Sequence, residues 1–349
     1  MFEHLDDPTP YRPGRDLRRR VVARGRRIRW RRRLAATAGA TTLALGTVSV
    51  GLVAYVERRD DAIDRADIAM APSLDDAVNV LLIGTDARPG AEDGARADTI
   101  AILRVGSDGS LAVLSLPRDL QVPGTGQRLA AAYADGGAQV LVDTLHGALG
   151  LPVDHVVEVD FAAFVGLVDD LGGLRLAVDV PLRDRTTGLD LAPTACTTLD
   201  GETALQLVRA RHVDGDTLGD LGRMARTRAV LAAAMEQVGD AWDDPRELDR
   251  LSRMLADHAV LDDGLSLEVM AGLGRTLGRG DRSRIAAPEL PLTDVRGADG
   301  AAFLGLGQGA DAVLRDFGAT DPLPAAVTAT PAGATVLPGL TPLVGIHPC

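Results

Sequence analysis

Val78-Asn79-Val80-Leu81-Leu82-Ile83-Gly84-Thr85-Asp86 is the stretch on which the fold reading turns. An apolar, β-branched run stopped by a glycine is the pattern of a strand buried on both faces of a sheet. Working outward, residues 99–105 and 111–116 read as two more strands, joined by the turn signal Gly106-Ser107-Asp108-Gly109. Residues 153–159 and 174–180 add two further strands. Apolar positions at three- and four-residue spacing predict helices over 138–149, 161–171, 201–211 and 223–238, with Gly172-Gly173 capping the second. Strands alternating with helices give an α/β class, a mixed central β-sheet sandwiched by helices; the antiparallel hairpin through Ile100 and Leu111 makes it mixed. Between 245 and 317 two or three more helices and a strand at 283–287 are expected. Residues 322–349, rich in Pro, Gly, Ala and Thr, show little regular pattern.

Charge divides the 349 residues unevenly. All 37 basic residues are Arg, and 12 of them fall in residues 1–33 against four acids, so the remainder carries a net charge of −20. Between the two parts, residues 34–56 hold no charge at all. As a helix rising ~1.5 Å per residue, such a segment spans a hydrocarbon core of ~30 Å. The Arg-rich flank sets the N-terminus in the cytoplasm and the rest outside. The expected organisation is a cytoplasmic head (1–33), one transmembrane helix (34–56), a stalk (57–76), an extracytoplasmic catalytic domain (77–321) and a tail (322–349). Trp30 and Tyr11 are the only aromatics of the head besides Phe2, and it abuts a membrane span; it reads as a topology signal drawn to anionic lipid rather than a nucleic-acid site. Two cysteines, Cys196 and Cys349, both on the outer side, favour a disulfide.

Polar residues gather at the ends of the expected strands. Asp86 follows the first, Arg96 and Asp98 open the second, and Arg118 with Asp119 end the third. Ligands of open α/β sheets bind where strands end. Two carboxylates, Asp86 and Asp98, suit Mg²⁺, which takes one or two carboxylates plus phosphate and water. The bland account of the same residues is that each Asp caps a turn. Arg209, Arg211, Arg223, Arg226 and Arg228, with Asp220 among them, form a second group. Guanidinium groups bind phosphate in bidentate fashion, although a helix C-terminus and surface ion pairs also favour them. The sequence has no HExxH, no Cys/His zinc spacing, no nucleophile elbow and no Walker-type loop, so Ser–His–Asp triad hydrolases, zinc enzymes and P-loop proteins lack support.

The ordered motifs NVLLIGTDAR (79–88), RADTIAILRV (96–105), LSLPRD (114–119), AAAYADGG (130–137), VDHVVEVDFAAFVGLVDDLGG (153–173), LDGETALQLVRARH (199–212) and GDLGRMARTR (219–228) together closely resemble the LytR-CpsA-Psr family. The resemblance implies a membrane-anchored, Mg²⁺-dependent phosphotransferase, with Mn²⁺ as the alternative ion. Its partners would be a polyprenyl-pyrophosphate-linked glycan as donor and peptidoglycan or a related wall glycan as acceptor, at the membrane and without nucleic acid. It implies that Asp86 and Asp98 hold the metal. Arg96, Arg118, Arg209, Arg211 and Arg223 would grip the pyrophosphate, with Arg128 and Arg226 as further contacts and Asp119 or Asp220 among the open choices for a base. Where many members carry a Gln pair, this chain has Thr227-Arg228. Hydrolysis of the same lipid, or a non-enzymatic binding role in the envelope, are the alternatives that the sequence leaves open.

Overall fold

In the computed structural model, described for residues 63–87, 95–238, 245–279, 285–296, 300–320 and 345–349, the 78–86 stretch forms an inner strand of a seven-stranded sheet. All described residues belong to the unit Arg59–Cys349. The expected head and transmembrane helix lie outside the described residues, as does most of the tail; no described helix is long and apolar enough to cross a membrane.

The strands are β1 (Asp64–Ala66), β2 (Val78–Thr85), β3 (Ala97–Val105), β4 (Leu111–Leu116), β5 (His155–Val159), β6 (Leu174–Val178), β7 (Leu182–Asp184), β8 (Leu189–Leu191), β9 (Thr194–Leu199), β10 (Val260–Asp262), β11 (Ile285–Ala286), β12 (Leu292–Arg296), β13 (Ala302–Leu306) and β14 (Ile346–Pro348). The helices are α1 (Leu129–Leu149), α2 (Phe161–Asp170), α3 (Gly201–Arg209), α4 (Asp220–Val238), α5 (Pro245–His258), α6 (Leu267–Arg279) and α7 (Ala310–Asp316).

The main sheet runs β1-β10-β5-β2-β3-β4-β11. β2 is antiparallel to β3 and parallel to β5, so the sheet is mixed, as the hairpin implied. Alternate residues of β2 face opposite layers. Leu81 and Ile83 join Ile100, Ile102, Leu114 and Leu116 under α1 and α7, where the side chains are fully buried. Val80 and Leu82 join Leu103, Val105 and Val113 on the other face, under Leu231 and Met235 of α4 and Leu273 of α6, several of which are only partly buried. α4 also lends Val230 and Ala233 to a second core, beneath the small sheet β14-β6-β9 and α3. There Cys196 of β9 is bonded to Cys349, 153 residues away, and β14 lies antiparallel along β6.

Several expected boundaries move. The helix expected from 138 is preceded by a further helical stretch from Leu129, the two meeting at a kink where Gly136 and Gly137 leave helical geometry; Gly137 has φ 66°. α3 stops at Arg209, since Ala210 is extended (ψ 123°), which frees the next two residues from the helix. β5 and β6 are shorter than expected. The small sheets β7–β8 and β12–β13, and the strand β9, were not anticipated from the sequence.

Candidate functional site

Asp98 owes its position to an irregularity. Gly84 pairs with Thr99 and Thr85 with Ala97, so Asp98 is the extra residue of a β-bulge in β3. Bulges re-aim a side chain and are common beside active sites. Gly84 is required here, for a Cβ on it would lie 2.9 Å from Thr99 Cβ. Past the bulge the ladder continues through Asp86, whose N–H donates to the Arg96 carbonyl (3.1 Å) and whose Oδ1 accepts the Arg96 N–H (2.7 Å). Both carboxylates thus stand at one end of two adjacent strands.

Arg118 and Asp119 sit in the turn after β4. The Leu120 N–H closes that turn on Pro117, the Ala130 N–H from α1 reaches the Arg118 carbonyl, and the Leu304 N–H from β13 reaches the Asp119 carbonyl. Held from both sides, Arg118 puts NH1 2.5 Å from Asp98 Oδ1. Arg211, on the segment after α3, places NH2 3.7 Å from the same oxygen and Nε 3.1 Å from Asp220 Oδ1. Asp220 opens α4, where a negative charge favours the helix N-terminus. One turn on, Arg223 clasps it with Nε at 2.8 Å and NH2 at 3.2 Å. At the other end Asp119 lies 3.0 Å from Arg128 Nε and 3.8 Å from Arg118 Nε.

The result is a chain of alternating charges: Arg128, Asp119, Arg118, Asp98, Arg211, Asp220, Arg223. Burial disfavours the Arg118 charge, but Asp98, supported by Asp220 and Asp119, outweighs it and raises the guanidinium pKa. Arg211 goes the other way: burial lowers it, and the like charges of Arg118 and Arg223 add to that against the pull of Asp220 and Asp98. Burial acts to raise Asp220, and its hydrogen bond and ion pair with Arg223, with Arg211 and Arg118 beyond, override this and hold it below the carboxylate range. The Asp220 carboxylate holds Arg211 and Arg223 in place through Nε contacts at 3.1 and 2.8 Å. Buried Nε donors of Arg118 and Arg211 make no hydrogen bond of acceptable geometry, so donor capacity in the cluster is not exhausted by its own carboxylates. Three guanidinium groups around two carboxylates, with unspent donors, suit a ligand with several phosphoryl oxygens.

Not every expected residue joins them. Arg226 is 1% exposed, with NH1 2.8 Å from Asp216 Oδ2 and NH2 2.8 Å from the Ala210 carbonyl, so two of its nitrogens are engaged inside the protein, away from the charge chain. Arg209 is exposed and lies over the Phe161 ring at 4.6 Å, apart from the charge chain's contacts. The Arg96 side chain is exposed, and its backbone does the ordering. Thr227 is buried and bonds back to the Arg223 carbonyl (3.0 Å), while Arg228 is buried with Glu289 at 3.6 Å; neither faces the cluster as a Gln substitute. Asp216 went unremarked in the sequence, although a carboxylate ten residues before an Arg in a Gly-rich loop is the only hint there was. Tyr133, buried with its hydroxyl 2.5 Å from Glu158, was missed as well; burial first, then Glu158 and Asp86, push its pKa up.

Among the described residues no group of three or more His, Cys, Asp or Glu gathers as a metal site. Asp86 and Asp98, at one end of adjacent strands, are two carboxylate oxygen donors. That fits an ion such as Mg²⁺, which completes its shell with phosphate and water.

The sequence model described as the LytR_cpsA_psr family matches residues 52–310. The chain is 31% identical over 217 residues to the polyisoprenyl-teichoic acid–peptidoglycan teichoic acid transferase TagU of Halalkalibacterium halodurans, covering 56% of this chain and 70% of that one. It is also 31% identical to TagT of Bacillus subtilis over 254 residues, 64% of this chain and 77% of that one. The solved LytR-Csp2A-Psr enzyme from Actinomyces oris superposes with a TM-score of 0.60 at 31% identity, covering 74% of this chain and 96% of that one. With a family match over most of its length, the same mixed sheet and the same ordered motifs, this chain belongs to the LytR-CpsA-Psr family.

Proposed function

We propose that this chain is a cell-envelope transferase that moves a phosphorylated glycan from a polyprenyl-pyrophosphate carrier to peptidoglycan or a related wall glycan. The observation that carries the reading is the convergence of Arg118, Arg211 and Arg223 on Asp98 and Asp220 at the strand ends. It is supported by relatives named as polyisoprenyl-teichoic acid–peptidoglycan transferases.

The donor's pyrophosphate lies against the three guanidinium groups, and Arg128, half-exposed beside Phe303, marks the outer rim. The partly buried apolar layer of Val80, Leu82, Leu103, Leu231, Met235 and Leu273 receives the polyprenyl chain. A hydroxyl of the wall acceptor attacks the phosphorus that bears the glycan. The new P–O bond forms as the bond to the bridging oxygen breaks, polyprenyl phosphate leaves, and the hydroxyl proton passes to water. Negative charge grows on the phosphoryl oxygens, where Arg118, Arg211 and Arg223 stand; prearranged positive groups at that point are the main source of rate in phosphoryl transfer. Asp98 and Asp220 keep those groups from turning away. Mg²⁺ or Mn²⁺, when bound, supplies Lewis-acid charge to the phosphate oxygens, and Asp86 and Asp98 are the residues to hold it. The head at 1–33 and the span at 34–56 belong to the same proposal, as a single-pass anchor with the domain outside the membrane.

The test incubates the detergent-solubilised full chain with a polyprenyl-pyrophosphate-linked oligosaccharide, peptidoglycan and Mg²⁺, beside Asp98→Ala. Glycan should appear on the wall and fall by about 10²–10³-fold in the variant. Release of polyprenyl phosphate without wall labelling would make the chain a hydrolase of the same lipid. An intact donor in every condition would overturn the enzymatic reading.

A further inference from the structure

Arg211 stands on a segment that has left its helix, so something other than the α3 ladder must hold it. Ala210 is extended, and the peptide unit joining it to Arg211 is gripped at both ends. Its carbonyl, that of Ala210, accepts from Arg226 NH2 at 2.8 Å. Its N–H, that of Arg211, donates to Asp184 Oδ2 at 2.8 Å. The same oxygen takes the His212 N–H, also at 2.8 Å. Asp184 Oδ1 is occupied by the Thr186 N–H at 2.8 Å and by the Thr186 hydroxyl.

Asp184 is 1% exposed, at the end of β7. A buried carboxylate costs several kcal/mol unless its acceptor capacity is filled, and here four donors fill it. A hairpin could be closed with far less. The Gly188 N–H already returns to the Asp184 carbonyl at 2.9 Å, and β7 pairs with β8 without the side chain. Two of the four donors belong to the segment that delivers Arg211 to the charge chain. A second strut comes from the same hairpin, where the Arg183 carbonyl accepts the Asp214 N–H at 2.9 Å.

We infer that Asp184 is a positioning residue for Arg211. It clamps the N–H side of the Ala210–Arg211 peptide while Arg226 clamps the carbonyl side, so the guanidinium meets the transferring phosphoryl group without searching. The inference rests on the transferase reading above for the identity of the ligand, but not for the clamp itself. Removing a full clamp lets the backbone move, and a displacement of ~1 Å at a phosphate-binding group costs on the order of 10²-fold in rate.

The experiment is a double-mutant cycle on the detergent-solubilised full chain with Asp184→Ala, Arg211→Ala and the pair. It reads both glycan transfer and calorimetric binding of inorganic pyrophosphate, with thermal melting alongside. Asp184→Ala should slow transfer by about 10- to 100-fold with Arg211 present, and by less than about threefold once Arg211 is gone. Pyrophosphate affinity should show the same coupling. Asp184→Asn, which keeps one acceptor oxygen for Arg211 and His212, should restore most of the loss. Equal losses in both backgrounds would overturn the inference, leaving Asp184 a structural residue only. A wild-type chain that transfers nothing sinks the transferase reading, and the pyrophosphate cycle then decides the clamp alone. If Asp184→Ala does not fold, Asp184→Ser, whose shorter side chain withdraws the acceptor from the Arg211 and His212 N–H groups, takes its place in the cycle, with additivity again the refuting result.

Discussion

Replacing Arg226 by Met separates a buried strut from a ligand contact. The side chain is 1% exposed, and its partner Asp216 is 9% exposed at 2.8 Å. Met keeps much of the apolar volume, so the loss is chiefly electrostatic. Asp216 is left buried beside the helix with only the Leu218 N–H, at 2.7 Å, to compensate it. Breaking a buried ion pair by removing one partner costs about 3–5 kcal/mol. The abandoned Ala210 carbonyl adds about 1 kcal/mol, and the surviving Asp216 hydrogen bond offsets about as much, so about 3–5 kcal/mol is expected. At about 2–4 °C per kcal/mol for a domain of this order of size, the melting temperature falls by about 6–20 °C. Scanning calorimetry of the detergent-solubilised full chain reads it, with pyrophosphate titration of the same sample. A melting temperature within about 2 °C of wild type, together with lost pyrophosphate binding, would refute the burial argument and return Arg226 to the ligand.

Three further outcomes are expected. Replacing Cys196 and Cys349 together by Ser, or adding reductant, should lower stability by about 2–5 kcal/mol, because the bond closes a 153-residue separation; identical melts with and without reductant would count against it. Gly201→Ala should destabilise by about 1–3 kcal/mol in a urea titration, since the new Cβ would lie 2.3 Å from the Val165 carbonyl oxygen, a backbone atom that no rotamer change moves. Acid should weaken the fold through Asp184, Asp220 and Asp262. Burial opposes their ionisation, yet hydrogen bonds and neighbouring cations hold Asp184 down at about 2 and the other two below the ordinary 3.8. A depressed carboxylate stabilises above its unfolded pKa and ceases to as pH falls through the folded one. Stability should thus decline from about pH 5 toward pH 2, and Asp184→Asn should flatten that slope in equilibrium unfolding.

The central strands were legible because a doubly buried strand has to be apolar on both faces, and 78–83, 99–105 and 111–116 satisfy that demand within a few residues. Helices with a clear apolar stripe were legible too. The Gly136–Gly137 pair was rightly read as a break, for both residues leave helical geometry there; the short helical stretch from Leu129 before them went unread. β7, β8, β12 and β13 are short and form two-stranded sheets, so three to five residues had too little periodicity to register. In the site, six residues of the alternating chain could be named from strand ends and phosphate chemistry, and Arg128 from resemblance. Spacing could not tell Arg223, which faces Asp220, from Arg226, three residues on, which faces Asp216. Which side of α4 looks into the site depends on where the 210–219 segment crosses it, and no local pattern encodes that crossing. Asp184 was invisible for the same reason: its partners are backbone groups more than two dozen residues away.

The alternating chain of charges has a bearing on selectivity. Arg118, Arg128, Arg211 and Arg223 face Asp98, Asp119 and Asp220, so all but one of the four positive charges in the chain is already answered. Chloride or a single phosphate, offering one or two oxygens, has to compete with carboxylates already seated at 2.5–3.2 Å. Only a ligand that engages several guanidinium groups at once gains enough to loosen them. Its own negative charge then leaves the cleft in deficit, so a cation arriving with it is favoured more than one arriving alone. By reciprocity of linked equilibria the donor must tighten the hold on the cation by the same factor. Under the proposed transferase function, a site so largely neutralised disfavours small anions and favours a ligand with several phosphoryl oxygens, such as the diphosphate of a lipid carrier.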